Sequence, residues 1–268
     1  MDRNYRAPTE HAQVNTFAIR CFRDTGDMDY IAARLAIRSG LPGPFLWSAS
    51  QAVEKYLKCI LMLNRVRTND LGHDLNAALQ LINESLPFRI TLAPREREVF
   101  DHLAQWNGDR YLLTSFSLES YELILFDALV WKLRLYCQAL DKRHYADDPS
   151  AETLRQRVAE VEAIISGSSK IAGHIPFGAL EAILANKRHH AHAALVTQNG
   201  FFTLKERRTV RYRVGWQAVN SPLWLNPELA EVVQQWMKIP RDIRAGAARL
   251  AQQRVDEARL SAAAPSVE

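Results

Sequence analysis

The sequence predicts a mainly α-helical protein, in which an up-and-down helical bundle is followed by a smaller α+β region. Across residues 25–141, apolar residues recur every three or four positions, the period of amphipathic helices. The connections between these stretches are short, which favours antiparallel neighbours in a bundle. Near residues 208–216 the pattern changes to a strict alternation of apolar and basic residues, which indicates a β-strand.

The composition allows a large core but does not identify a partner. Hydrophobic residues make up 47% of the 268 residues, and the net charge is only +4. The first residues lack the apolar core of a signal peptide, and no apolar run reaches the roughly 20 residues that span a bilayer. We therefore expect a cytoplasmic protein with no membrane partner. The three cysteines are far apart, and we expect them to be reduced and structural.

The first two helices of the bundle are bounded by polar caps, glycine and proline. Thr25 and Asp27 are candidate N-caps of a first helix that ends at Gly40. A second helix is predicted over about 44–64, and it carries charged residues beside a continuous apolar surface.

Three further helices complete the predicted bundle. The third begins at about residue 73, and the fourth runs from Pro94, a first-turn proline, to about Trp106. Ser117 is the predicted cap of a fifth helix, which continues to Leu140. Its apolar side chains are dense enough for the central core helix.

The polar segment at 141–152 predicts a boundary between two regions. Before it, residues 25–141 form the helical bundle, and after it residues 150–260 form the α+β region. Within this second region, residues 201–217 are predicted to form a β-hairpin, because residues 209–216 alternate between an apolar and a basic face.

The predicted hairpin concentrates positive charge beside aromatic residues, a combination that can hold RNA or single strands. Three interpretations stay open: contact with nucleic acid, a solvated basic face, or contact with an acidic protein. The candidate nucleic-acid-binding residues are Lys205, Arg207, Arg208, Arg211 and Arg213.

An ordered set of polar residues in the bundle resembles the HEPN family, the helical domains found beside minimal nucleotidyltransferases and in prokaryotic toxins. The resemblance covers about residues 25–141. It implies a bundle of four or five helices, frequent homodimerisation, and binding of nucleotides or RNA, with a subset acting as metal-independent endoribonucleases. The matching residues are Gln51, Glu54, Lys55 and Lys58, then His73, Asp74 and Leu75, then Arg110 and Tyr111.

The ribonuclease subset carries an arginine followed, after about four to six intervening residues, by a histidine that acts as a general base. Here Arg110 is present, but Ser115, Phe116 and Ser117 occupy the positions of the histidine. An unassisted hydroxyl is too weak a base near neutrality, so the pattern disfavours cleavage. A ribonuclease would need another base, for which the candidates are His144, His189, His190 and His192.

Lys55, Lys58, His73 and Arg110 are the candidate ligand-binding residues, because together they could form a cationic pocket for a nucleotide phosphate. The alternative is structural. In that interpretation Glu54 and Lys55 form an ion pair with Arg110, and His73 holds the turn before a helix.

No cofactor or metal is expected. His189 and His192 could share a helix face, but two histidines do not complete a zinc site. The sequence also lacks a P-loop, a GxGxxG motif, a GxSxG elbow and a CxxC pair. We therefore expect a non-catalytic protein that binds nucleotide or RNA, as a homodimer and as a partner of a nucleotidyltransferase or toxin system. The alternatives are a metal-independent endoribonuclease of a toxin or defence system, and a protein–protein interaction subunit.

Overall fold

A computed structural model describes residues 9–106, 113–119, 121–138, 151–169, 174–176, 178–203, 210 and 215–263. The described residues of Met1–Gly108 and Ser120–Val214 form one compact unit, here called the bundle unit. Those of Asp109–Glu119 and Gly215–Glu268 form a second, the C-terminal unit. The described chain is mainly helical with one small antiparallel sheet, which confirms the predicted fold class.

The bundle unit begins earlier than predicted. A helical stretch starts at Glu10, where the Thr9 side chain accepts a hydrogen bond from the amide of Ala12 at 3.2 Å. It continues without a break to residue 38, so the prediction that Thr25 and Asp27 are N-caps was wrong. The stretch consists of α1 (Glu10–Ala18), a π-helical turn (Ile19–Arg23) and α2 (Asp24–Arg38).

The next three helices agree with the sequence prediction. They are α3 (Pro42–Leu63), α4 (Leu75–Ser85) and α5 (Pro94–Trp106). Asp74 caps α4, since its carboxylate accepts a hydrogen bond from the amide of Ala77 at 2.9 Å. The apolar surface of α3 lies in the core, where Val53, Tyr56 and Leu57 are fully buried.

The central core helix, α6, spans Glu122–Tyr136 and is shorter than predicted. Ser117 does not cap it, because Phe116–Glu119 forms a β-strand instead. From Leu129 to Tyr136 every residue of α6 is buried within the chain. Uncovered apolar surface on this helix is therefore no argument for dimerisation, which stays a prediction from the family resemblance.

Three helices that follow α6 in the described chain also belong to the bundle unit. They are α7 (Ala151–Ser166), α8 (Ala179–Ala185) and α9 (His192–Val196). The sequence placed these residues beyond a boundary at 141–152, whereas the compact units place them with the bundle. For α8 and α9 the physical cause is a pair of buried arginines.

Arg134 of α6 is the first of these arginines. Its guanidinium makes two hydrogen bonds to the Asp27 carboxylate, from Nε to Oδ1 at 2.8 Å and from Nη2 to Oδ2 at 2.9 Å. It makes two more to Glu181 of α8, both at 2.7 Å. Tyr56 completes the cluster by donating its hydroxyl proton to Asp27 Oδ1 at 2.8 Å. Arg134 thus joins α2, α6 and α8 through charge-assisted bonds.

The approach of α8 depends on a residue without a side chain. A Cβ on Gly178 would lie 1.9 Å from Glu181 Oε2 and 2.6 Å from Arg134 Nη2. Any larger residue would therefore displace the ion pair, and glycine allows the chain before α8 to lie against it.

Arg34 of α2 is the second buried arginine. Its Nη1 pairs with the carboxylate of Asp127 on α6, and its Nε donates to the carbonyl of Ala194 on α9 at 2.8 Å. Tyr30 donates to the other oxygen of Asp127 at 2.7 Å. Asn199 in turn donates to the Tyr30 hydroxyl at 2.8 Å, so the chain after α9 is tied to the same network.

The two networks are reciprocal. Asp27 of α2 pairs with Arg134 of α6, and Arg34 of α2 pairs with Asp127 of α6. Each helix carries the aspartate seven residues before the arginine, which places both groups on one face, two turns apart. The aspartate of each helix pairs with the arginine of the other, so the earlier residue of one helix lies beside the later residue of the other. The two helices α2 and α6 therefore run antiparallel here. We call the four residues the reciprocal ion pairs.

The C-terminal unit contains the small sheet and three helices. Strand β1 (Phe116–Glu119) pairs antiparallel with β2 (Trp216–Val219), with Phe116 opposite Val219 and Glu119 opposite Trp216. The described end of the predicted hairpin is thus a strand, but its partner is remote in sequence. The helices are α10 (Pro222–Leu225), α11 (Leu229–Val233) and α12 (Arg241–Ala263). Their core consists of Leu223, Ala230, Ile239 and Ala247.

Among the described residues, no helix is both long and apolar enough to cross a membrane.

Candidate functional site

Three polar side chains meet where α3 faces the turn before α4. Glu54 of α3 lies at the centre, and its carboxylate oxygens are 3.1 and 3.0 Å from His73 Nδ1. Lys58, one turn further along α3, donates from Nζ to Glu54 Oε1 at 2.7 Å. We call Glu54, Lys58 and His73 the Glu54 cluster.

The turn that carries His73 is held in place by the same lysine. Lys58 Nζ donates a second hydrogen bond, to the carbonyl of Gly72, at 2.7 Å. Gly72 has φ +52°, in the left-handed region that glycine adopts without strain. The glycine therefore reverses the chain, Asp74 caps the following helix, and His73 between them is directed towards α3.

The three side chains of the cluster differ in exposure. The side chain of Glu54 is 9% exposed and that of Lys58 is 17% exposed, whereas that of His73 is 61% exposed. Burial alone would raise the pKa of Glu54, but the hydrogen bonds and charges of Lys58 and His73 lower it below its ordinary value. Glu54 is therefore ionised near neutral pH, and it holds a largely exposed imidazole by one nitrogen.

Lys55 lies beside this cluster on α3 but has a different partner. Its ammonium pairs with the carboxylate of Asp29 on α2, and both side chains are partly exposed. Residues three apart on a helix are surface neighbours, so Lys55 and Lys58 present two ammonium groups to adjacent positions. The structure thus gives Lys55 and Lys58 a carboxylate each.

The predicted ligand-binding residues are therefore only partly assembled. Lys58 and His73 meet at Glu54, while Lys55 lies beside them and pairs with Asp29. Arg110, Tyr111 and His144 lie outside the described residues, so neither the four-residue pocket nor the Glu54–Lys55–Arg110 ion pair is tested. The same holds for the basic segment of Lys205, Arg207, Arg208, Arg211 and Arg213.

The other histidine candidates stand apart from the Glu54 cluster. His189 and His190 are exposed, and His189 Nδ1 accepts a hydrogen bond from the amide of Ala191 at 3.1 Å, which forms a local turn. In the described parts of the chain, no group of three or more histidine, cysteine, aspartate or glutamate side chains is arranged to hold a metal ion.

Sequence reasoning missed the reciprocal ion pairs, although a signal for them exists. Both α2 and α6 contain an aspartate followed seven residues later by an arginine, at Asp27 and Arg34 and again at Asp127 and Arg134. Two helices with the same charge pattern can pair both charges only if they run antiparallel. The matching charge patterns can be recognised in the sequence, but the sequence does not show which helices become neighbours.

Lys55 and the Glu54 cluster carry groups that can bind an anion or transfer a proton. An ammonium carries three N–H donors, and the contacts described above use two in Lys58 and one in Lys55. The unused donors can bind an anionic oxygen. A carboxylate that orients an exposed imidazole is also the arrangement that prepares a histidine for proton transfer.

No family model, no curated protein and no solved structure matches this chain.

Proposed function

We propose that this protein is a non-catalytic binding protein that recognises the phosphate of a nucleotide or of RNA through Lys55, Lys58 and His73. The observation that carries the proposal is that Lys58 and the exposed imidazole of His73 meet at Glu54, while Lys55, three residues before Lys58 on α3, presents a second partly exposed ammonium group beside them. Lysine recognises phosphate as a point charge, and binding by a cluster of such donors does not depend on the nucleotide sequence of the RNA.

The two carboxylates set the expected strength of this interaction. Asp29 and Glu54 balance the charges of Lys55 and Lys58, so a phosphate competes with them for the same donors. We therefore expect weak binding that falls steeply as salt concentration rises, because release of counterions drives phosphate recognition.

The Glu54–His73 contact specifically favours a second candidate, a metal-independent endoribonuclease. In this reaction His73 accepts the proton of a ribose 2′-hydroxyl, whose oxygen attacks the adjacent phosphorus. A 2′,3′-cyclic phosphate forms as the bond to the 5′-oxygen breaks, and the departing 5′-oxygen takes a proton from water. Glu54 holds the imidazole by Nδ1, and Lys58 supplies positive charge nearby. This candidate would supply the base that the sequence motif lacks after Arg110.

One experiment tests both candidates. Wild type, Lys55→Ala, His73→Ala and the exposed control Lys187→Ala are incubated with a mixed RNA pool and with single nucleotides in buffer containing a chelator. Retention and cleavage are measured together. We expect Lys55→Ala to weaken retention about fivefold, the effect of one exposed charge, and Lys187→Ala to leave it unchanged.

The outcomes separate the candidates. Retention without cleavage, weakened about fivefold in Lys55→Ala, supports the binding protein. Cleavage that disappears in His73→Ala while retention persists supports the ribonuclease. Equal retention by Lys55→Ala and wild type would contradict the phosphate site, and the search would move to partner proteins.

A further inference from the structure

A pocket of about 280 Å³ lies against the small core of the C-terminal unit. Most of its wall is apolar and comes from Leu113, Leu223, Ile243 and Leu250. Its volume is close to the lower end of the roughly 300–1,000 Å³ usual for small-molecule sites, so it fits a ligand of metabolite size. The ligand's body should be apolar, since burying apolar surface is the main favourable contribution that such a wall offers.

Gly246 of α12 keeps the pocket open. The residue lines the pocket, and the nearest described atom to a Cβ built on it is Nη2 of Arg249, at 3.9 Å. No packing requirement among the described residues therefore demands glycine here. Glycine is less favourable than alanine inside a helix, and its effect at this position is to leave space beside the helix.

Two opposite charges flank this open position on α12. Asp242 lines the pocket one turn before Gly246, and the Arg249 guanidinium reaches back to within 3.9 Å of the missing Cβ. Among the residues that the structure describes, neither charged side chain has a hydrogen-bond or ion-pair partner. A carboxylate that lines the apolar pocket and a guanidinium beside the open position at Gly246 are thus both available to a ligand.

Trp224 contributes a further part of the pocket wall, and its backbone is hydrogen-bonded to α12. Trp224 is 51% exposed. Its carbonyl accepts a hydrogen bond from Arg254 of α12 at 2.7 Å, and the carbonyl of Leu225 accepts another at 2.8 Å. The end of α10 is therefore tied to α12, and the half-exposed indole offers an apolar face to a ligand.

We propose that this pocket binds a free amino acid with an apolar side chain. The side chain fills the apolar wall beside Trp224, the α-ammonium pairs with Asp242, and the α-carboxylate pairs with Arg249. A zwitterion satisfies both charges at once, whereas a simple amine or a simple acid satisfies one and leaves the other unpaired. This site is separate from the Glu54 cluster and does not rest on the proposed phosphate binding.

The first test uses three probes that share the phenylalanine side chain and differ in which charged groups they carry. L-phenylalanine, its amide and its N-acetyl derivative are titrated into the full chain and followed by NMR. The amide lacks the carboxylate and the N-acetyl derivative lacks the ammonium. We expect each to bind about fivefold more weakly than phenylalanine, the effect of one exposed ion pair. Equal affinity for the three probes, or no binding of phenylalanine at millimolar concentration, would overturn the proposal.

The second test assigns each charge to its residue. Asp242→Asn should abolish the preference for phenylalanine over the N-acetyl derivative while keeping the preference over the amide. Arg249→Gln should do the reverse. The matched controls on the same helix are Asp256→Asn and Arg259→Gln, which should retain both preferences; a control that loses one would assign the effect to the general charge of α12 and overturn the site.

The third test fills the pocket without removing a charge. Gly246→Leu places a side chain in the open position and should reduce binding of all three probes at least tenfold. Ala248→Leu adds the same bulk to the exposed side of α12 and should not. Because leucine favours helix over glycine, the melting temperature of Gly246→Leu should not fall. Unchanged phenylalanine binding in Gly246→Leu would place the ligand elsewhere.

Discussion

The reciprocal ion pairs and the Glu54 cluster both pair carboxylates with cationic side chains, but they differ in how far those cationic side chains are exposed to solvent. Arg34 and Arg134 are almost fully buried, and every carboxylate they meet receives further hydrogen bonds from the protein. In the Glu54 cluster only the carboxylate is buried, and His73 remains largely exposed. The first arrangement excludes solvent and any ligand, whereas the second leaves donors at the surface.

Residue type alone therefore does not distinguish a charged side chain that stabilises the fold from one that can bind a ligand. Taking a charge out of water is expensive unless its partners satisfy it completely, so a buried arginine must be matched by the fold itself. An exposed lysine keeps its hydration and can exchange a carboxylate for a phosphate. Burial therefore determines which of the charged residues can respond to a ligand.

The largest loss of folding stability should come from Arg134→Met. The substitution leaves Asp27 and Glu181 without their shared cation inside the bundle, and we expect the free energy of unfolding to fall by about 3–5 kcal/mol. The control is Arg157→Met, which removes a surface ion pair with Glu160 and should change stability by less than about 1 kcal/mol. Urea denaturation followed by circular dichroism measures both; similar midpoints would contradict the structural role assigned to Arg134.

An intermediate effect that depends on pH should come from Glu181→Gln. Burial alone would raise the pKa of Glu181, but the hydrogen bonds and charge of Arg134, together with the amide of Ile175, lower it below its ordinary value. The ionised carboxylate therefore stabilises the fold above that ordinary value, and the stabilisation is lost as pH falls through the lowered folded-state pKa.

We accordingly expect Glu181→Gln to be less stable than wild type by about 2 kcal/mol at pH 7, the contribution of hydrogen bonds to a charged group. The difference should shrink as pH falls from 6 towards 3. Denaturation at a series of pH values measures it, with Glu160→Gln on the surface as the control. A difference that grows in acid would refute the assigned direction.

The smallest effect on stability should come from Lys55→Met. The lysine and its partner Asp29 are both partly exposed, so the loss should stay below about 1 kcal/mol. Thermal unfolding at low and high salt measures it, and salt should reduce the difference further. A loss as large as that of Arg134→Met would place Lys55 with the structural charges and would count against its role in phosphate binding.

Local sequence signals were sufficient for several elements. The amphipathic period predicted α3, Asp74 predicted the start of α4, and Pro94 predicted the start of α5. These features act within a few residues, through caps, proline geometry and the helical period, so no remote partner is needed to read them.

Elements that depend on a distant partner were read incorrectly. Residues 116–119 looked like the start of the core helix, but they form a strand because residues 216–219 supply the other edge of the ladder. Asp27 looked like a helix cap, but Arg134 makes it a buried ion-pair partner. In both cases the deciding interaction joins segments about a hundred residues apart, and such a contact outweighs a weak local preference.

Local sequence patterns predicted that the protein is mainly helical and that Lys55, Lys58, His73 and Arg110 are candidates for binding an anionic ligand. The reason is that helical periodicity and side-chain charge are local properties. The packing of the chain was needed to show which charges are buried, that α8 and α9 belong with the bundle, and that Asp242 lines an apolar pocket with Arg249 close to Gly246. Those outcomes depend on which surfaces become neighbours, and this is set by the packing of the whole chain.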